Sequence, residues 1–318
     1  VLASKYLDRP LKTFSLGYGE YIDELPYAKE ASDFIKSEHY TIEAGGNMTE
    51  ELEKIITYFD EPHADSSDFP QHMISELAAS KVKVALSGDG GDEIFMGYGW
   101  HNRHLNLSYR AHMFEKLFLN PFQARVRSTR IFSNTQRLVL WGSFAPINND
   151  IYADNTHNAT PNHMEKITAF DLSTYLPGQL LTKVDRTGMM HGLEVRSPFL
   201  DTKLVEFVIN LPTKFKSDNS GSKIILKDLL SEFMPKTFVY RRKQGFGAPV
   251  GRWLREPKMR DYVVSNLGKG ARVKKLFNPA VIDLLVNGFY KKNNDKLALK
   301  VWVLLCLELW LKSSRIYI

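Results

Sequence analysis

Over the first hundred residues, short apolar runs alternate with segments of amphipathic helical spacing, and this restricts the fold more than any other feature. Residues 11–18, LKTFSLGY, make an apolar run punctuated by Gly17 and predict a buried strand. Residues 27–37 set Ala28, Ala31, Phe34 and Ile35 at helical spacing, and residues 39–44 predict a second strand. Asn47 stands where a helix carrying Leu52, Ile55, Ile56 and Phe59 needs an N-cap. Residues 71–80 are again helical in spacing, and residues 82–86, VKVAL, predict a third strand. Strands separated by helices need right-handed crossovers, so the expectation is an α/β fold with a doubly wound parallel sheet. Such sheets bind ligands beyond the carboxyl ends of their strands. Two such ends stand out: Leu16-Gly17-Tyr18 and the run SGDGGDE at 87–93.

Beyond about residue 100 the strand pattern stops, and aromatic-rich helical spacing with polar loops such as 147–157 takes over. The expected organisation is an α/β part over roughly 1–100 and a mostly helical part over roughly 100–318, with a soft boundary at 100–160. The opening VLASKYLDRP puts Leu2, Ala3, Tyr6 and Leu7 on one helical face without a capping residue, which predicts a start inside a helix of a longer protein. No internal repeat or low-complexity tract interrupts the sequence.

Composition removes several classes of function. Among 318 residues, 43% are hydrophobic and 25% charged, which supports a sizeable buried core. Lys and Arg exceed Asp and Glu by 42 to 36, a mild excess that favours small anionic ligands. Without a lysine-rich tail, zinc-finger spacing or basic heptads, nucleic acid is not an expected partner. The single cysteine, Cys306, has no disulfide partner and lies in an apolar run at 301–311, where a small core residue is expected. That run contains Glu308 and is too short to span a bilayer, so no membrane partner and a cytoplasmic location are expected.

Three motifs are candidates for chemistry. The first is LSGDGGDEIFMGYG at 86–99, a strand leading into a three-glycine turn and a helix. Gly88 and Gly90 let the backbone approach an anion closely, and successive N–H groups beside Ser87 suit phosphate. Asp89 and Asp92 would face the same crevice, where carboxylates hold Mg²⁺ together with phosphate oxygens. An acidic glycine turn without function fits the pattern equally well. The second motif, LLTKVDRTGMMHGLEVRSPFLD at 180–201, reads from its residues as a solvated helix face with local ion pairs. The third, YRRKQGFGAPVGRWLRE at 240–256, offers a cationic loop that could neutralise charge developing on a phosphate, although a charge run is more often surface decoration. His101 and His104 lack a matching ligand set for metal, and no Gly-x-Ser-x-Gly, Walker A or GxGxxG sequence is present.

Taken in order, these motifs resemble the asparagine synthetase family, in its synthetase domain: Ser-Gly-Asp-Gly-Gly-Asp-Glu at 87–93, Lys-Val-Asp-Arg leading to Pro-Phe-Leu-Asp at 183–201, and Lys-Gln-Gly-Phe-Gly at 243–247. DELPYAKEA at 23–31, DEPHADSS at 60–67 and KVWVLLCLELWLKS at 300–313 are similar to the family as well. The resemblance implies an ATP-pyrophosphatase-type α/β fold. It also implies a reaction in which ATP adenylates the side-chain carboxylate of aspartate and ammonia then gives asparagine and AMP. Carried over by position, Ser87, Gly88, Asp89 and Gly90 would border the nucleotide and acyl-adenylate, and Asp92 would help hold Mg²⁺ and pyrophosphate. Leu16 would lie against adenine, and Lys243 would stabilise the adenylation transition state.

Three departures qualify what the family implies. The family's Ser-Gly-Gly-x-Asp-Ser loop is expected just before VLASKY, outside these residues, so the fragment alone is expected to be inactive. Ammonia is expected from a glutaminase domain that is also outside them, and a homodimer is the assembly to test. Finally, an acid often precedes Leu-Leu-x-Lys-Val-Asp-Arg in the family, where this chain has Gly178-Gln179. An acid there suits the amino group of an acceptor, so Gln179 weakens the case for aspartate, the default by family likeness, and keeps another carboxylate such as a sugar acid as the alternative. A catalytically inactive nucleotide-binding or assembly module is the remaining alternative.

Overall fold

The computed structural model describes residues 1–19, 24–101, 121–141, 163–218, 221–241 and 247–314. Strand β1 (Lys12–Gly17) leads through α1 (Leu25–Ile35) to β2 (Glu38–Glu43), which pairs parallel with β1 from Lys12–Glu38 to Gly17–Glu43. Helices α2 (Met48–Tyr58) and α3 (Asp68–Ala79) follow, and α3 packs on both strands. The predicted order of strands and helices therefore holds over this region. Asn47 does precede α2, but its side chain does not cap the helix: its Oδ1 accepts from the Thr49 hydroxyl and from Lys258.

The predicted single sheet is not what the described residues form. Strand β3 (Val84–Leu86) pairs in parallel with β4 (Glu194–Arg196), and these two strands form a sheet separate from β1–β2. The expectation that strands end near residue 100 is thus overturned. Only Val195 of β4 turns inward, and the flanking Glu194 and Arg196 are exposed and ion-paired. Three residues with charges on one face leave no apolar alternation to read. A small antiparallel hairpin, Ser217–Asp218 with Gly221–Ser222, is a second strand element that the pattern missed.

Helical segments make up most of the rest. They include α4 (Pro121–Ser128), α5 (Asn134–Trp141), α6 (His163–Phe170), a wide π-type helix (Asp171–Leu181) containing Pro177, and α7 (Thr182–Met189). Helices α8 (Thr202–Asn210), α9 (Ile224–Ser231), α10 (Pro257–Asn266), α11 (Pro279–Tyr290) and α12 (Ala298–Ser313) complete the larger elements. The chain opens on a 3₁₀ turn, Ala3–Tyr6, whose neighbours Leu2 and Leu7 are exposed together with Tyr6, so the predicted apolar face is not buried.

The main core joins α2 to the C-terminal helices. Leu52, Ile55 and Phe59 pack with Phe69, Trp253, Ile282, Phe289 and Trp302. Helix α12 is buried on nearly every side, as its unbroken apolar sequence demands. Its one buried acid, Glu308, accepts a bond from the Val273 amide at 2.8 Å, which offsets part of the cost of burying a carboxylate. Cys306 lies in this core without a partner, and burial pushes its thiol well above the usual range, so it is the expected core residue. Among the described residues no helix is long and apolar enough to cross a membrane.

Candidate functional site

A cleft of about 1770 Å³ is lined from both strand pairs, by residues 11–14 at the start of β1 and by residues 82–88 along and around β3. Consecutive residues line it, so the strands present their edges here and not one face. At its carboxyl end lies the glycine turn. Ser87 continues the strand pairing through its amide to Arg196 O, at 2.9 Å, and its hydroxyl lies 3.0 Å from that of Ser197. Gly90 takes the left-handed conformation at φ 86°, and a Cβ there would stand 2.2 Å from Leu200 Cδ2. A Cβ on Gly91 would meet the Phe199 ring at 3.1 Å. Thus Pro-Phe-Leu from the second motif buttresses the turn of the first. Nothing lies within 4 Å of a Cβ placed on Gly88, so the backbone there is open to the cleft.

Leu16, Ser87, Gly88, Asp89, Gly90 and Asp92 all line this cleft, so the structure brings these predicted residues together. Lys243 lies outside the described residues. Asp92 pairs with Lys223 Nζ at 3.1 Å, and both side chains are about a quarter exposed. Lys223 adopts a left-handed backbone conformation, φ 56°, just before α9. Gly97 allows this packing, because a Cβ on it would come within 2.2 Å of Lys223 Cε. Among the described residues no group of three or more His, Cys, Asp or Glu side chains is placed to hold a metal by itself. Two carboxylates beside an open glycine turn do fit Mg²⁺, which keeps waters and phosphate oxygens among its ligands. Glu93 also lines the cleft but is almost fully buried; burial raises its carboxyl, and the Tyr98 hydroxyl donates to it.

A second polar cluster lies in the same cleft. Asp65 Oδ1 accepts from the Ser67 amide and hydroxyl, at 2.9 and 2.8 Å. Its Oδ2 accepts from Gln179 Nε2 at 3.0 Å and from Lys183 Nζ at 3.1 Å. Lys183 donates also to Ser67 Oγ at 2.7 Å and is only 5% exposed. Burial alone would raise the Asp65 carboxyl, but Lys183, the Ser67 amide and Gln179 together hold it below the usual range. Behind it, burial pushes Asp68 up to about 6, while its 2.8 Å bond to His63 raises the imidazole despite burial. Tyr175 connects the two clusters: burial and then Asp65 push its hydroxyl up to about 12, and its ring lies 5.8 Å from Tyr98. Asp171, fully buried, holds the adjoining wall by accepting from Trp100 and, through two nitrogens, from Arg125.

The solvated-face reading of residues 180–201 is therefore corrected. Arg186 does lie near solvent, paired with Asp60 at 2.8 Å, but Lys183, one turn earlier, is buried. Lys183 and Asp65 meet across 118 residues, and no local pattern reports such a pairing. Lys223 and Asp65 were missed as site residues. Asp65 was visible only as part of DEPHADSS, and the Gly221-Ser222-Lys223 run has no helical or strand period to flag it.

Comparison with known proteins gives the family. The profile of the asparagine synthase family matches residues 1–312. Asparagine synthetase [glutamine-hydrolyzing] 1 of Bacillus subtilis is 26% identical over 98% of this chain and 53% of its own length. A putative asparagine synthetase [glutamine-hydrolyzing] of Mycobacterium bovis is 26% identical over 94% of this chain and 50% of its own. A second putative one, of Methanocaldococcus jannaschii, is 44% identical over 34% of this chain and 20% of its own. The chain spans about half the length of the first two of these relatives. With the family profile covering almost every residue, the chain belongs to the asparagine synthase family.

Proposed function

We propose that this chain is the ligase part of a protein that makes an amide from ATP, ammonia and the side-chain carboxylate of aspartate. The observation that carries the reading is the assembly of Ser87, Gly88, Asp89, Gly90 and Asp92 at the end of β3, in one cleft with Leu16. The two parallel strand pairs are read as parts of one doubly wound sheet of the ATP-pyrophosphatase type. Leu16 offers adenine an apolar contact, and the glycine turn offers phosphate oxygens close access to backbone N–H groups.

The acceptor's carboxylate oxygen bonds to the α-phosphorus of ATP, the bond to the bridging oxygen breaks, and pyrophosphate leaves. Ammonia then attacks the acyl carbon, a proton is lost, and AMP departs with the electron pair of the broken C–O bond. Activation splits one difficult displacement into two easier ones. Asp92 would hold Mg²⁺, which supplies positive charge to the leaving pyrophosphate; Asp89 borders the acyl-phosphate. Lys243 is assigned the charge that develops during adenylation. Ammonia is assigned to a glutamine-hydrolysing part beyond these residues, the activity named for the relatives.

The test gives the complete protein ATP, Mg²⁺, ammonia and aspartate, and looks for asparagine and AMP. Asp92→Asn should lower pyrophosphate release by about a hundredfold or more, as losing a preorganised charge partner does, with the thermal unfolding midpoint unchanged. Near-normal release by this variant would remove Asp92 from the site. Because Gln179 is uncharged, a second reading has another carboxylate, such as a sugar acid, as acceptor. AMP formed only with that acceptor would establish it, and no pyrophosphate with any acceptor would leave an inactive nucleotide-binding module.

A further inference from the structure

We propose that Lys183 anchors a second anionic group of the acceptor, so that the site selects molecules carrying a carboxylate in addition to the one activated. This rests on the ligase reading above for its setting but not for its measurement. Lys183 is almost completely buried yet lines the cleft, as do Asp65 and Ser67. A buried ammonium is costly unless its donors are used. Asp65 Oδ2 and Ser67 Oγ account for two of its three N–H groups. Asp65, by contrast, has no capacity left, because four donors from Ser67, Gln179 and Lys183 share its two oxygens. What this pair offers a ligand is thus a donor, not an acceptor.

Gln179 strengthens that polarity. Its amide is turned onto Asp65 at 3.0 Å, and it does not itself line the cleft. A carboxylate in its place would compete for the ammonium and lie against Asp65 with like charge. The neutral amide adds no counter-charge to Lys183, whose direct ion pair is with Asp65 while Asp68 acts at longer range, so a ligand carboxylate is the group that completes its shell. Lys223, which does not line the cleft, pairs instead with Asp92 of the glycine turn.

The experiment uses the complete protein and three ligands: aspartate, succinate, which lacks the ammonium, and 3-aminopropanoate, which lacks the second carboxylate. Calorimetry reads their affinities, and pyrophosphate release reads the KM for ATP. The unaltered protein should bind aspartate and succinate about tenfold more tightly than 3-aminopropanoate, the effect of one hydrogen bond between charged groups. Lys183→Gln should abolish that preference with little change in the KM for ATP. Should this variant fail to fold, Gln179→Glu, which keeps the lysine, should reduce the same preference at least threefold.

Equal binding of succinate and 3-aminopropanoate by the unaltered protein would overturn the proposal. So would a rise in the ATP KM of Lys183→Gln with dicarboxylate binding intact, which would assign the lysine to phosphate. If the dicarboxylate preference is present and lost in the variant while no acceptor yields pyrophosphate, the anchor stands and the ligase reading falls.

Discussion

The glycine turn at 87–93 and the Asp65–Lys183 pair face one cleft, but the first is built from backbone and the second from side chains. The turn depends on what its residues lack: no Cβ at Gly90, where Leu200 already fills the space, and none at Gly88, where the cleft begins. The pair depends on opposite charges brought from a loop and a helix that lie far apart in sequence. Such a difference teaches where each wall is vulnerable. A backbone wall breaks when a side chain is added, and a charge wall breaks when one is removed.

The largest expected effect follows from removing the buried cation. Lys183→Met should cost about 3–5 kcal/mol in denaturant unfolding, because Asp65 is then left buried with an uncompensated charge. The pH dependence has a definite sign. The Asp65 carboxyl lies below its usual range when folded, so its contribution is present above the unfolded value and lost as pH falls through the folded one. The gap between the two proteins should be full at neutral pH and shrink below about pH 4, where unfolded aspartate takes up its proton. A gap that stays constant from pH 7 to pH 3 would show that packing, not charge, is what the lysine supplies.

Next in size is the backbone wall. Gly90→Ala meets both a left-handed φ and a 2.2 Å approach to Leu200, so it should destabilise by about 1–3 kcal/mol. Gly88→Ala has open space around its Cβ and should leave the unfolding midpoint unchanged while weakening ATP binding. If both variants behave alike in both measurements, the division between a structural glycine and a ligand-facing one is wrong.

This contrast also explains what the sequence could show. Glycines at fixed spacing after an apolar run report their geometry locally, so Ser87, Gly88, Asp89, Gly90 and Asp92 are legible as a group in the sequence. The alternation of β1, α1, β2, α2, α3 and β3 was legible too, because burial imposes periods of two and 3.6 on neighbouring residues. Strand β4 was not, since three residues with two exposed charges carry no period. The pairing of β3 with β4, and not with β1, is a tertiary choice that leaves no mark on VKVAL. Lys183 and Arg186 lie in the same stretch of alternating charge, and only the fold says which of them is buried.

Those two residues supply the smallest expected effect and the closest control. Both are cations on α7, three positions apart, and each meets one aspartate from the segment between α2 and α3. The Arg186 side chain is 41% exposed and its partner Asp60 is 73% exposed, so water screens the pair and hydrates either charge when the other is gone. Exposed pairs of this kind contribute about 0.2–1 kcal/mol. Arg186→Ala should therefore shift unfolding by no more than that, and the shift should diminish further as salt is raised through the Debye range. Lys183→Met measured in the same salt series should change little, because a buried pair is poorly screened. A loss of several kcal/mol on removing Arg186, independent of salt, would mean that burial does not separate the two cations and that Lys183 has no special standing in the cleft.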